Sequence, residues 1–149
     1  TVQVAMDLAV LTGLRRGDVL SLTRDNLTDE GIFIHTSKTK KDMLIEWSDE
    51  LRDVIKRALK LPPQVRKPII CTRKGKAYTR DGFYAIWQRL MTKAVEKGVE
   101  RFQFRDLRAK SASDDTLEAA TQRLGHADPR ITENVYRRRP RRVRPLNRR

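Results

Sequence analysis

The chain has 149 residues, 38% of them hydrophobic and 35% charged, a composition that suits one globular domain with its own core. Its 33 lysines and arginines against 19 aspartates and glutamates give a formal net charge of +14. An enzyme of small metabolites needs no such excess, whereas a nucleic-acid partner explains it directly; the alternative is a domain with a basic tail. The single cysteine, Cys71, excludes an intrachain disulfide, and no apolar run approaches the roughly 18–20 residues of a membrane span.

Apolar periodicity and turn residues predict an α+β fold, mainly α-helical, with a small three-stranded antiparallel sheet. In chain order we predict helices over 1–11 and 17–22, strands over 32–34 and 43–47 joined as a hairpin, a helix over 48–60, a strand over 68–72, helices over 79–97, 105–113 and 115–124, and a last helix from 128. Gly13 and Gly125 are expected to end helices, and Ser48 to open one. An Asp115-x-x-Glu118 capping box is expected to open the helix that follows it.

Basic residues stand in two turns of this prediction. Arg15 lies in the tight turn between the first two helices, where it binds an anion, stays a solvated charge or pairs with Asp18. Lys38, Lys40 and Lys41 stand at the tip of the hairpin. Lysines at such a tip contact phosphates readily, but lysine-rich turns also occur simply for solubility.

Later in the chain, Arg105 and Arg108 are three residues apart, so a helix places both on one side. Their planar guanidinium groups match the oxygens of a phosphate, although Asp106 offers one of them an ion pair instead. His126 follows a helix-ending glycine, which leaves its ring able to point into a cleft. Taken alone, His126 and Tyr136 are more often structural side chains than functional ones.

Together these residues supply the parts of a phosphoryl-transfer site. A tyrosine hydroxyl, with a reference pKa of about 10, is a poor nucleophile unless positive charge surrounds it. Arginines stabilise the charge that develops on the phosphate oxygens, and a lysine can protonate the leaving 5′-oxygen. Neither a metal-binding pair of acidic residues nor a glycine-rich phosphate loop appears near these positions, so we expect no metal and no cofactor.

The order of the motifs resembles the catalytic domain of tyrosine recombinases, most closely the prophage integrases, from about Leu11 to Arg138. The motifs are Thr12-Gly13-Leu14-Arg15, Lys38 in a hairpin, Arg105-Asp106-Leu107-Arg108, Leu124-Gly125-His126, and Tyr136. The resemblance implies site-specific recombination without metal, of the integration and excision type.

The resemblance also implies a role for each position. Arg15 and Arg108 would be the two arginines that clamp the scissile phosphate, and His126 would donate a hydrogen bond to it. Asp18 would support the loop of Arg15.

Three further positions would carry out or support strand exchange. Tyr136 would form a 3′-phosphotyrosyl link, and Lys38 would protonate the 5′-hydroxyl that leaves. Arg105 stands where the family usually has histidine. An arginine there can still donate to phosphate but cannot accept the proton of the tyrosine.

Other basic residues are expected to contact DNA: Arg16, Lys40, Lys41, Lys110, Arg137 and Arg138. The resemblance implies a catalytic domain over 1–139, a basic tail over 140–149, and N-terminal DNA-binding domains outside this sequence. It also implies attachment-site duplex DNA as partner, a tetramer on DNA, possible accessory DNA-bending proteins, and a location in the cytoplasm at the nucleoid, in a bacterium or encoded by a phage. Two rival interpretations are a type IB topoisomerase and a DNA-binding module that has lost catalysis.

Overall fold

The fold is described from a computed structural model for residues 1–38, 40–63 and 66–136. Its elements are helices α1 (Val2–Thr12) and α2 (Arg16–Ser21), a 3₁₀ turn (Arg24–Asn26), strands β1 (Gly31–His35) and β2 (Asp42–Glu46), helices α3 (Asp49–Lys60), α4 (Arg80–Glu96), α5 (Asp106–Ser113), α6 (Leu117–Leu124) and α7 (Pro129–Ile131), and a π-helical turn (Thr132–Tyr136). The predicted mainly helical α+β class is confirmed.

Helix α3 shows how local sequence sets these limits. Ser48 Oγ accepts a hydrogen bond from the backbone N–H of Leu51 at 3.1 Å, which caps the first turn. Leu51, Val54, Ile55 and Ala58 are buried at helical spacing, and the opposite face is charged. The buried face packs against α1, which lies centrally and also contacts α5.

An aromatic cluster fixes the segment that leads into α5. Phe83 and Trp87 are buried on α4, and both pack edge-to-face on Phe104 with ring centroids 5.3 Å apart. Phe102 stacks on Trp87 in the same manner at 5.4 Å. Since such pairs add about 0.5–1.5 kcal/mol each beyond area burial, they hold the start of α5 firmly against the core.

The strand predicted over Pro68 to Thr72 is wrong. Strands β1 and β2 pair antiparallel from Gly31–Glu46 to His35–Asp42, and within the described residues they are the whole sheet. Residues 68–72 make only isolated bridges, Thr23–Pro68 and Cys71–Ala77, and Pro68 has no N–H to donate to a longer ladder. Ile69, Ile70 and Cys71 are all buried, so the apolar run reports a buried connection and not a strand.

The predicted capping box at Asp115 is also wrong. Helix α6 begins one residue later than such a box requires, and Thr116 Oγ1 accepts the capping hydrogen bond from Ala119 N–H at 3.2 Å. Asp115 instead forms an ion pair with Arg123, which lies near the other end of α6. Two neighbouring capping residues compete at this position, and the tertiary ion pair decides between them.

Several predictions lie outside the described residues: those for Arg137 and Arg138 and for the tail over 140–149. Among the helices that are described, none is both long enough and apolar enough to cross a membrane. In the same part of the chain, no three histidine, cysteine, aspartate or glutamate side chains come close enough to hold a metal ion.

Candidate active site

A cleft of about 1600 Å³ lies between α2, the hairpin, α4 and the start of α5. Its volume exceeds the roughly 300–1,000 Å³ of pockets for small molecules, which suits a polymer better than a metabolite. The lining brings together five of the six predicted catalytic residues, from four separate segments: Arg15, Lys38, Arg105, Arg108 and Tyr136. His126 adjoins this group through contacts with two of its members.

Arg108 lies at the centre of the group, where the C-terminal ends of two helices meet. It is buried, with 6% of its surface exposed. Its Nη1 donates to the carbonyl of Gly13 at the end of α1, and its Nη2 donates to the carbonyl of Leu124 at the end of α6, 2.8 Å away. Carbonyls at helix C-termini carry partial negative charge, so they stabilise this buried cation, which forms no ion pair with a carboxylate among the described residues.

Both helices end at a glycine in the left-handed conformation. Gly13 has φ 64°, a conformation that favours glycine, and a Cβ there would stand 2.9 Å from the end of the Leu124 side chain, which would have to shift. Gly125 also has φ 64°; its N–H donates to Gln122, and the N–H of His126 donates to the Thr121 carbonyl. This C-terminal motif places His126 at the mouth of the Arg108 site.

His126 and Tyr136 both contact Arg108. The Nη2 of Arg108 lies 3.2 Å from Nε2 of His126, and its guanidinium carbon lies 5.2 Å from the centroid of the Tyr136 ring. The His126 and Tyr136 rings are 5.1 Å apart and tilted by 36°. Nδ1 of His126 lies 2.8 Å from Oγ1 of Thr132.

Burial and positive charge act together on the ionisation of this group. Partial burial, then Arg108 and Arg15, lower the pKa of His126 to about 4, so its ring is neutral at neutral pH. Burial, then Arg15, also lower the pKa of Arg108, while the nearby Tyr136 partly opposes that shift. Nε of Arg108 is buried without a hydrogen-bond partner among the described residues. An unpartnered N–H inside a positively charged pocket is suited to an anion.

Asp18 connects the Arg15 turn to the hairpin. It is 1% exposed, and its Oδ1 accepts a hydrogen bond from the backbone N–H of Ser37 at 2.9 Å. Ser37 directly precedes Lys38, so Asp18 fixes the backbone that presents the lysine. Within the described chain no ion pair joins Arg15 to Asp18, so the alternative in which Arg15 pairs with Asp18 is not observed.

The predicted DNA-contacting residues differ in whether they line the cleft, as Arg105 does. Arg16 lines the cleft, and the exposed Arg105 lines it immediately before α5. Lys40, Lys41 and Lys110 are exposed outside the cleft lining. Lys110 forms an i,i+4 ion pair with Asp114 at 2.6 Å, so it points along α5.

Sequence reasoning missed the wall formed by α4. Arg80, Tyr84 and Gln88 are spaced i, i+4, i+8 and line the cleft, and Arg101 lines it too, donating to Gln88 at 3.2 Å. Tyr84 is half exposed, at 51%. The signal available in the sequence was this row of polar residues at helical spacing. It runs beside the row of buried residues on the same helix, displaced from it by one residue.

The amino-acid sequence matches the model of the phage integrase family over residues 1–141. No curated protein sequence matches the chain significantly.

Solved structures share the fold at low identity. A lambda integrase dimer bound to a COC′ core site matches with TM-score 0.76 and 20% identity, over 95% of this chain and 55% of that one. A lambda integrase tetramer bound to a Holliday junction gives 0.73 and 20%, over 97% and 44%. The lambda integrase catalytic core gives 0.69 and 22%, over 83% and 82%. The chain therefore spans about half of the longer proteins and most of the catalytic core.

Proposed function

The chain belongs to the phage integrase family, and from that premise we propose that it cleaves and rejoins DNA in site-specific recombination of the prophage integration and excision type. The observation that carries the proposal is the position of Arg108. It lies in a basic cleft, contacts both His126 and the ring of Tyr136, and has a buried N–H without a hydrogen-bond partner in the described part of the chain. These contacts support the proposal, because they bring the proposed nucleophile, the proposed hydrogen-bonding ring and the proposed phosphate-binding cation next to one another.

The proposed reaction needs no metal. Tyr136 Oη attacks the scissile phosphorus, the P–O bond to the 5′-oxygen breaks, and Lys38 donates the proton that the 5′-hydroxyl gains. Arg15 and Arg108 neutralise the non-bridging oxygens, where negative charge develops. The 3′-phosphotyrosyl bond retains the energy for resealing, so a 5′-hydroxyl of another strand can reverse the step without ATP.

The proton of Tyr136 has no acceptor at the position of Arg105. A guanidinium donates hydrogen bonds but accepts none, so Arg105 contributes charge and contacts to phosphate. The cleft is open to solvent on that side, since Arg105 is exposed. Water is therefore the acceptor that we propose.

Duplex DNA carrying attachment sites is the proposed substrate, and a tetramer on two duplexes is the proposed assembly. The lambda integrase tetramer bound to a Holliday junction, which shares the fold, supports that assembly. The net charge of +14 supports binding to DNA. Action at the nucleoid in the cytoplasm follows from that substrate, and accessory DNA-bending proteins stay a prediction.

A suicide substrate tests the proposal. The DNA is nicked close to the scissile phosphate so that the cleaved 5′-end diffuses away and resealing is blocked. We expect a covalent protein–DNA adduct on denaturing gels with the wild type and none with Tyr136→Phe. Tyr84→Phe, which removes a hydroxyl from the cleft wall, is the matched control and should still form the adduct.

The same assay separates the rival functions. DNA binding without any adduct would identify a DNA-binding module and refute the catalytic proposal. If adducts form, exchange between two sites supports a recombinase, whereas relaxation of supercoils without exchange indicates a topoisomerase.

A further inference from the structure

Among the described residues, the side-chain hydroxyl of Thr132 contacts the ring of His126. Thr132 is fully buried, at 0% exposure, and opens the turn that carries Tyr136. Its Oγ1 lies 2.8 Å from Nδ1 of His126 and has no other hydrogen-bond partner among the described residues. A threonine hydroxyl in a helix often bonds a carbonyl one turn earlier. Here the hydroxyl faces the histidine ring instead.

The contacts of His126 determine which nitrogen carries its proton when DNA is absent. Arg108 can only donate hydrogen bonds, so Nε2 of His126, 3.2 Å from Nη2 of Arg108, must be the acceptor. The neutral ring then carries its proton on Nδ1 and donates it to Oγ1 of Thr132. In this state the hydroxyl hydrogen of Thr132 has no acceptor among the described residues.

That tautomer cannot donate to a phosphate. Phosphate oxygens are acceptors, and Nε2 of His126, the nitrogen on the Arg108 side, presents a lone pair. The ring must either gain a second proton or move its proton from Nδ1 to Nε2. Thr132 makes the second route possible, because a hydroxyl that accepts from Nδ1–H can rotate and donate to an unprotonated Nδ1.

We propose that Thr132 is a positioning residue whose hydroxyl reverses its hydrogen bond with His126 when a DNA phosphodiester enters the cleft. Nδ1 loses a proton to solvent and Nε2 gains one, so the net protonation of the ring is unchanged. The Nη2–H of Arg108 released from His126 becomes available to the phosphate. The hydroxyl hydrogen of Thr132 gains an acceptor at the same time. In the DNA-bound state the Thr132 hydroxyl, both His126 nitrogens and the released Arg108 N–H therefore each have a hydrogen-bond partner. This inference rests on the proposed function.

Nitrogen-15 NMR of labelled histidine tests the reversal directly. The chain has two histidines, and His35, paired with Asp42 on the hairpin, serves as an internal reference. The Tyr136→Phe protein is used so that no cleavage occurs, and the probe is the site duplex of the adduct assay. For His126 we expect a protonated Nδ1 without DNA and a protonated Nε2 with DNA. An unchanged tautomer, or protons on both nitrogens with DNA bound, would overturn the proposal.

Substitutions separate this role from simple packing. Thr132→Val keeps the shape but removes the hydroxyl, and we expect the rate of adduct formation to fall about 10–100-fold, as for groups that orient functional histidines in metal sites. Thr132→Ser should restore most of the rate and should bind DNA as the wild type does. Thermal melting checks that each variant is folded.

A full rate with Thr132→Val would refute the role of the hydroxyl. If the wild type forms no adduct, the proposed function fails. The tautomer spectra, recorded on a protein that does not cleave, still decide the present proposal separately.

Discussion

Arg108 shows how a buried cation can be stable without forming an ion pair with any described carboxylate. Its hydrogen bonds go to carbonyls at the ends of α1 and α6 and to the neutral ring of His126. Breaking a buried pair usually leaves an uncompensated charge and costs several kcal/mol. Here the compensation comes from two helix ends, so the positive charge stays available to an incoming anion.

His126 makes the stability of the DNA-free protein depend on pH. The pKa of its ring is about 4 in the folded protein, because of burial and two nearby arginines, against about 6.5 in an unfolded chain. Above pH 6.5 both states are neutral. Between pH 6.5 and 4 the unfolded state binds the proton and the folded state does not, so stability falls as pH falls through that window.

We therefore expect the urea midpoint to drop further between pH 7 and pH 5 in the wild type than in His126→Asn. Comparison with the variant cancels the carboxylates, which titrate in the same range in both proteins. An equal drop in wild type and His126→Asn would contradict the depressed pKa.

At the scale of elements, the hairpin is held to the rest of the site by one buried carboxylate. Asp18, in the first turn of α2, accepts from the backbone of Ser37. Because Lys38 follows, this hydrogen bond decides where the proposed general acid stands. The hairpin was predicted from its strands, but nothing in the sequence indicates that α2 binds its tip.

We predict that Asp18→Ala slows strand cleavage while Asp18→Asn, which keeps an acceptor oxygen, retains most of the rate. If the loss arises through Lys38, a substrate with sulfur in place of the leaving 5′-oxygen should restore the rate of Asp18→Ala. A thiolate leaves without a proton from an acid, since thiols are far more acidic than alcohols. Adduct formation on both substrates measures this. If Asp18→Ala lowers the rate equally on both substrates, Asp18 acts on the Arg15 turn instead.

Element prediction succeeded where a single local signal dominated. The end of α1 at Gly13 and the start of α3 at Ser48 follow from backbone conformation and capping. It was wrong at 68–72, where a continuous apolar run is equally compatible with a strand and with a buried connection. It was wrong again at Asp115, which forms an ion pair with Arg123 instead of capping α6.

At the scale of the whole molecule, the lining of the cleft carries an excess of positive charge. Seven arginines and lysines line it against two aspartates: Arg15, Arg16, Lys38, Arg80, Arg101, Arg105 and Arg108, with Asp81 and Asp106. The net charge alone predicted that the partner is a polyanion, but not which part of the protein surface the polyanion follows. Arg80 on α4, together with Arg101, extends the basic surface beyond the proposed site.

Salt dependence of DNA binding tests this path. If Arg101 contacts a phosphate, Arg101→Ala should weaken binding and reduce the slope of log K against log salt by about 1. Lys56→Ala is the control, since Lys56 lies on α3 outside the cleft lining, and it should leave the slope unchanged. An unaltered slope with Arg101→Ala, measured by fluorescence anisotropy, would place the DNA away from the α4 wall.

The sequence by itself determined the helical class, most element limits and the identity of the residues proposed to act on phosphate. Those features depend on local periodicity, capping and ordered motifs. Only the tertiary structure decided that Arg108 lies between two helix ends, that Asp18 holds the hairpin, and that Thr132 faces His126. Each of these contacts joins separate elements, and no pattern along the chain specifies which helix ends or side chains packing brings together.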